Sequence, residues 1–274
     1  MKENKNPTKT TADFKSWKSV TRNKSLNSDK TPSTNYRGYI ELNQDKDFVL
    51  NSVIGKRLEN ICPTHAISYK KNHDESICLD NGKCVFCGNC YREYPELIKI
   101  SNKFYFAKRK RGDLIEIRSR SGNFGKTYDE LGKDLKNKIY KTFRRSLSIR
   151  EIDGGSCNGC EIEISALNNP IYDIERYGIR FVASPRHADV LLITGPVSKN
   201  MERAIKIAYN STPSPKIVIA VGACACSGGI FGRNYATTGG VDSIVPVNVF
   251  IPGCPPRPEA LLYGILIGVN KIGY

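Results

Sequence analysis

The run Cys84-Val85-Phe86-Cys87-Gly88-Asn89-Cys90 constrains this chain more than any other stretch of it. A C-x2-C-x2-C spacing lets three thiolates reach three different irons of a four-iron, four-sulfide cube around one tight loop. The fold must then bring a fourth thiolate from elsewhere. A four-cysteine zinc site is the competing reading, but zinc takes its cysteines as pairs from two knuckles, which this triple run does not supply. The chain has ten Cys in 274 residues, nine of them in close groups or beside Pro and Gly, and its N-terminus lacks the apolar core of a secretory signal. Metal ligation in a reducing compartment is therefore expected, and disulfides are not.

The fourth thiolate is expected from Cys62, which stands before Pro63. In two-cluster motifs of the form C-x2-C-x2-C-x3-C-P, the cysteine before proline serves the other cluster of the pair. The three partners of Cys62 in its own run would stand at Ser52, Gly55 and Leu58, so that cluster cannot be built. The matching position of the downstream run is Tyr94, before Pro95, and the two losses agree. One 4Fe-4S site remains, made of Cys62, Cys84, Cys87 and Cys90. From about Tyr36 to Phe106, including Tyr36-Arg37-Gly38, the segment resembles bacterial-type ferredoxin domains reduced to one cluster. Cys78 has no place in the pattern and reads as a free thiol in an inserted loop.

At roughly 150 residues per domain the length suggests about two domains. Residues 1–46 are poor in apolar residues and without period, and read as a disordered basic tail. Residues 47–106 form the small α+β ferredoxin-like domain. Residues 107–145 carry a basic knot, Lys108 to Arg111, and a helix over Tyr128 to Phe143 whose Leu131, Leu135, Ile139 and Phe143 make an i, i+4 stripe for docking. From residue 146 to 274 apolar runs alternate with helical stretches, the pattern of a doubly wound, flavodoxin-like α/β domain with a parallel sheet. Strands are expected at Leu147–Ile152, Ile179–Ala183, Val190–Thr194, Ile217–Val221 and Val249–Ile251, with helices at Glu161–Leu167, Asn200–Tyr209 and Pro258–Val269. The longest apolar stretch, Ala260 to Val269, is broken by Gly264 and Gly268 and falls short of the ~20 residues a membrane span needs.

Three further motifs end strand runs of this second half: Cys157-Asn158-Gly159-Cys160-Glu161-Ile162-Glu163, Gly222-Ala223-Cys224-Ala225-Cys226-Ser227-Gly228-Gly229, and Pro252-Gly253-Cys254-Pro255-Pro256-Arg257. Ligands of such folds sit at the carboxyl ends of strands. In this order the motifs resemble the small subunit of energy-converting (group 4) nickel-iron hydrogenases and the related 20 kDa subunit of respiratory complex I, over about Leu131 to Ile272. The resemblance implies that Cys157, Cys160, Cys224 and Cys254 ligate a second, proximal 4Fe-4S cluster. The complex I branch has two adjacent cysteines at the first motif, and the spaced Cys157 and Cys160 favour the hydrogenase branch. Cys226 is either a buried spare thiol or an alternative to Cys224. Glu163 either serves the cluster loop, relaying protons or orienting it, or is a solvated helix acid. His65 reads as a solvated loop residue beside Cys62 or as a tuner of its cluster, and His187 as structural.

No nucleophile–base arrangement, phosphate loop or dinucleotide fingerprint is present, so no catalytic residue is expected in this chain. By resemblance it is an electron-relay subunit of a membrane-associated nickel-iron hydrogenase with two 4Fe-4S clusters, working with a separate large catalytic subunit of the 49 kDa type and other subunits of a membrane complex. The equivalent subunit of a quinone- or sulfur-reducing complex is the alternative. The charge, Lys+Arg 42 against Asp+Glu 27 for a net +15, calls for anionic partners. A zinc-stapled nucleic-acid binder is the remote reading, set aside for want of aromatic-interleaved basic motifs, so no nucleic-acid partner is expected. The expected location is cytoplasmic, peripheral on the inner face of the membrane through partner subunits. An organellar matrix is the alternative, since the N-terminus is basic and rich in hydroxyl residues, although Glu3 and Asp13 count against a transit peptide.

Overall fold

The computed structural model describes residues 39–43, 50–71, 75–101, 103–116 and 128–272. Most of the expected basic tail, with Tyr36 to Gly38, lies outside these residues. Its last part does not: Tyr39–Leu42 is strand β1, paired antiparallel with β4, Ile98–Ser101, in the register Ile40 to Ile100. Its short apolar run is too brief to register against the polar sequence before it, and it is buried by pairing with β4 and by core contacts such as the Tyr39 ring stacked on Phe106 at 4.6 Å. Helix α1 (Ser52–Ile61) starts where the Asn51 side chain accepts the Ile54 N–H at 3.0 Å, satisfying one of the free donors of the first turn. Two of the three positions where ligands of a second ferredoxin cluster would stand, Gly55 and Leu58, are buried on this helix, so protein core occupies that space. A second small sheet joins β2 (Ile67–Lys71), β3 (Glu75–Asp80) and β5 (Ile115–Glu116). Strand β5 falls in the stretch expected as linker. Between the two small sheets comes the five-residue helix α2 (Asn89–Glu93), and after β5 the long α3 (Tyr128–Phe143).

The remaining strands, β6 (Leu147–Asp153), β7 (Ile179–Phe181), β8 (Val190–Thr194), β9 (Ile217–Val221) and β10 (Val249–Ile251), form one parallel sheet in the order β10-β9-β8-β6-β7. Counted from β6 this is the 2-1-3-4-5 order of flavodoxin-like folds, as the sequence pattern predicts. Side chains alternate across it: Val190 and Leu192 of β8 pack on one face, Leu191 and Ile193 on the other. Residues buried this fully stabilise by roughly 1.5–3 kcal/mol each, which makes the sheet the rigid base for what its loops carry. Helices α4 (Gly159–Ala166), α5 (Lys199–Ser211), α6 (Gly222–Ser227) and α7 (Pro258–Ile272) follow strands of this sheet or their loops, and α3 packs on α7. The core on the α7 face runs without a break into the small sheets, through Ile98, Phe86 and Phe106. No described helix is long and apolar enough to cross a membrane.

Candidate functional site

Cys62 closes α1 as its C-cap, while Cys84 and Cys87 lie on the loop that leads to Cys90 in the first turn of α2. Gly88, at φ 77°, turns the chain between Cys87 and Cys90. The four thiols expected from the sequence line one cleft, walled by Ile40, Ile67 and Leu79. Backbone donors point at two of them: Ala66 N–H to Cys62 Sγ at 3.2 Å and Phe86 N–H to Cys84 Sγ at 3.4 Å. Such donors stabilise thiolate charge and tune a cluster's potential. Burial pushes the Cys84 thiol up, and pushes Cys90 up to about 11, with the other thiols of the group adding repulsion. Deprotonation therefore calls for a cationic occupant. Cys78 is absent from the cleft lining; it stands opposite Ser68 in the β2–β3 ladder, and His65 is exposed.

The second group forms at the carboxyl edge of the parallel sheet. Asp153 Oδ1, at the end of β6, accepts the N–H groups of Gly155 at 2.7 Å and Ser156 at 2.6 Å and folds the loop that carries Cys157. Cys160 opens α4, Cys224 lies on α6 after β9, and Cys254 follows β10. Ala223 N–H donates to Gly253 O at 2.7 Å, tying the last two loops together. Burial pushes Cys224 up to about 11, with Cys254 and then Cys157 adding to it, and it also pushes up Cys160 and Cys254. The four expected residues thus face one another. Cys226 does not join them: its thiol donates to Ala220 O at 3.8 Å inside the core on the other face of the sheet, which makes it a buried spare thiol.

The surroundings fit a cluster. Gly222, at φ +87°, leaves room for Cys160, since a Cβ there would stand 2.6 Å from its Sγ; one on Gly229 would stand 2.8 Å from the Sγ of Cys224. Among the described residues no three His, Cys, Asp or Glu side chains converge closely enough to hold one metal ion. A single zinc draws its thiolates to about 2.3 Å.

Two acidic features border the second group. Both carboxylate oxygens of Glu161 are buried with no hydrogen-bond partner among the described residues, and Glu161 lines a cleft with Glu151, Ser165 and Asn168. Burial, then Glu161, pushes Glu151 above the usual carboxylate range. Glu163 is half-buried, raised first by burial and then by Glu259, which Arg257 meets at 3.3 Å. It is no freely solvated helix acid. The sequence reading gives a role to Glu163 alone, although Glu161 stands in the same motif beside Cys160 and Glu259 follows Arg257 in the third.

The family model described as "NADH ubiquinone oxidoreductase, 20 Kd subunit" matches residues 157–267. A Pyrococcus furiosus protein named "Probable membrane-bound hydrogenase subunit mbhJ" is 49% identical over 134 residues, 49% of this chain and 80% of that protein. Formate hydrogenlyase subunit 7 of Escherichia coli is 50% identical over 146 residues, 53% of this chain and 57% of that protein. An NADH-quinone oxidoreductase subunit from Geotalea daltonii is 54% identical over 114 residues, 42% of this chain and 66% of that protein. This chain therefore spans only a little over half of the Escherichia coli relative.

Proposed function

Since the chain belongs to the family of the 20 kDa subunit of NADH-ubiquinone oxidoreductase, whose members serve oxidoreductase complexes, we propose that it is the iron–sulfur electron-relay subunit of a membrane-associated nickel-iron hydrogenase. One observation carries this reading: two separate groups of four thiols stand in one chain, the first in a cleft walled by core residues and the second on loops and helices at the carboxyl edge of the parallel sheet. Cys62, Cys84, Cys87 and Cys90 would hold one 4Fe-4S cluster, and Cys157, Cys160, Cys224 and Cys254 the other. When bound, each cluster supplies one-electron exchange at a potential set by its surroundings. The chain's own residues bury Cys90 and partly bury Cys84 and Cys160, aim N–H groups at the sulfurs of the first group, and hold the loops of the second against the sheet edge. The spaced pair Cys157 and Cys160 supports the hydrogenase branch over the complex I branch, whose pair is adjacent.

A large catalytic subunit would cover the second group, with hydrogen oxidised or protons reduced there and not in this chain. Its position at the membrane would come through such partners.

The test is iron. Anaerobically purified chain is expected to hold eight irons, Cys62→Ser to fall to about four, and Cys78→Ser to keep eight, since eight of the ten Cys complete two four-ligand sites. Four irons in the unaltered chain, zinc in their place, or the two variants behaving the other way round, would reject the assignment.

A further inference from the structure

The stretch that joins the two thiol groups is built as a strap. Lys108 exchanges both backbone hydrogen bonds with Phe250 of β10, at 3.0 and 2.8 Å, and eight residues later Glu116 pairs in β5 with Leu79 of β3. Between them, in the helical turn Arg111–Leu114, stands Arg111. Its guanidinium grips Asp80 with two bonds of 2.8 Å, Nη1 to Oδ1 and Nη2 to Oδ2, while its Nε donates to Cys226 O at 2.9 Å. Asp80 ends the strand that leads into Cys84, and Cys226 lies two residues beyond Cys224 on α6. The Ser227 hydroxyl lies 2.8 Å from Gly82 O and 3.0 Å from Ala223 O and closes the same seam. Gly82 leaves the place for the guanidinium, because a Cβ there would stand 2.6 Å from its central carbon.

We propose that Arg111, held by Asp80 and seconded by Ser227, is the positioning residue that fixes the Cys84 loop against the Cys224 helix and so sets the spacing of the two clusters. The inference rests on the two-cluster reading. The chemistry suits this role, since a bidentate fork adds geometric definition that a point charge lacks, and this one is largely buried, at 22% side-chain exposure for Arg111 and 14% for Asp80. The seam joins the two groups by short covalent routes, from Gly82 to Cys84 and from Cys226 to Cys224. The Lys108–Phe250 bridge ties the strap to β10 but touches neither thiol loop, and the apolar core around the seam resists slippage less specifically than directed bonds do.

The experiment compares the unaltered full chain with Arg111→Lys, Ser227→Ala and Arg145→Lys. The last breaks an equivalent fork, Arg145 on Asp189 at 2.9 and 2.6 Å, away from the seam. Iron content is read first, then the magnetic coupling between the two reduced clusters, the rate of electron exchange between them after flash reduction, and hydrogen exchange of the amides from 80 to 84 and from 224 to 229. Arg111→Lys is expected to keep eight irons, change the coupling, speed amide exchange on both sides of the seam and slow electron exchange roughly tenfold, well within the ~10²-fold that a misplacement of about 1 Å costs a positioned reaction. Ser227→Ala, which removes one hydroxyl and cannot unfold the chain by loss of charge, should move the same signals less, and Arg145→Lys should leave them alone. Unchanged coupling and rate in both seam variants at eight irons, or an equal change in Arg145→Lys, would overturn the proposal alone. Four irons in the unaltered chain would overturn the two-cluster reading and this inference with it.

Discussion

Glu116 shows how a single acid can be held against its own preference. It sits at the end of β5 with the Tyr39 hydroxyl donating to its Oε1 at 3.0 Å, and Glu41 nearby is committed to Lys103. Burial, the largest cause, and Glu41 raise its pKa, while the bond from Tyr39 and the charges of Lys108 and Lys103 only partly offset them. The folded chain therefore binds this proton more tightly than the unfolded chain. The stability linked to it is fully present below the ordinary carboxylate pKa of about 4.3 and is lost as pH rises through the raised folded value. At neutral pH the charged form is a cost. Glu116→Gln keeps an oxygen to accept from Tyr39 and removes that charge, so it is expected to raise the melting temperature by a few degrees at most, with a gain that grows from pH 5 to pH 8. Calorimetry under anaerobic conditions reads it directly; a constant gain across that range, or a loss at pH 8, would contradict the sign.

At the scale of elements, what was legible followed from how each one is buried. The expected ranges of β8, β9 and β10 match the structure because strands covered on both faces write unbroken apolar runs. The range of α3 matched too, and its Leu135 and Ile139 are buried as the stripe requires, while the Leu131 side chain lies outside the described residues. Helix α6 is not among the helices expected from the sequence, because Gly222, Cys224 and Cys226 carry no helical period, and its turn is held by the neighbouring Cys254 loop. Strand β5 leaves no pattern because it is two residues long, whereas the Ile54, Leu58 and Ile61 spacing of α1 does carry a helical period that the sequence reading does not use. Gly132 in α3 is a further case, where propensity and packing disagree. Alanine there would improve helix propensity by about 1 kcal/mol. Its Cβ, however, would stand 2.1 Å from the ring of Tyr177, which is buried to 4% exposure beneath α3. Overpacking of this kind costs about 1–3 kcal/mol, so packing wins. Gly132→Ala should lower the unfolding free energy by about 1 kcal/mol in a denaturant titration, the difference of these two terms. Adding Tyr177→Leu, which vacates the ring's place, should turn the alanine from harmful to helpful; if the pair is simply additive, the ring is not the obstacle.

For the whole molecule, the two thiol groups could be read from cysteine spacing and resemblance, but their connection could not. Arg111 stood in a run of basic residues that any sequence reading assigns to solvent, and its partner Asp80 is 31 residues upstream. The outer side of the second group points to the remaining partner. Cys157 and Cys254 are exposed, a poor state for cluster ligands unless something covers them. Around them the chain leaves large apolar side chains in water, with Ile162 two residues after Cys160 at 61% exposure, and Ile230 and Phe231, directly after the glycine pair beside Cys224, at 60% and 54%. Tyr235 on the same loop is 96% exposed. Aromatic residues of this kind are the usual anchors of an interface, each worth ~2 kcal/mol or more, and about 1.4 kcal/mol is tenfold in affinity. The double change Phe231→Asp and Tyr235→Asp is therefore expected to weaken retention of the proposed large catalytic subunit by well over tenfold while the chain keeps its full iron, because the loop lies outside both thiol groups. Ile207→Asp, on the exposed side of α5, should leave retention unchanged. Anaerobic pull-down with titrated partner and parallel iron analysis separates the outcomes. Equal retention by the double variant would move the docking face away from this loop, and hydrogen turnover by the chain without its partner would remove the need for a docking face at all.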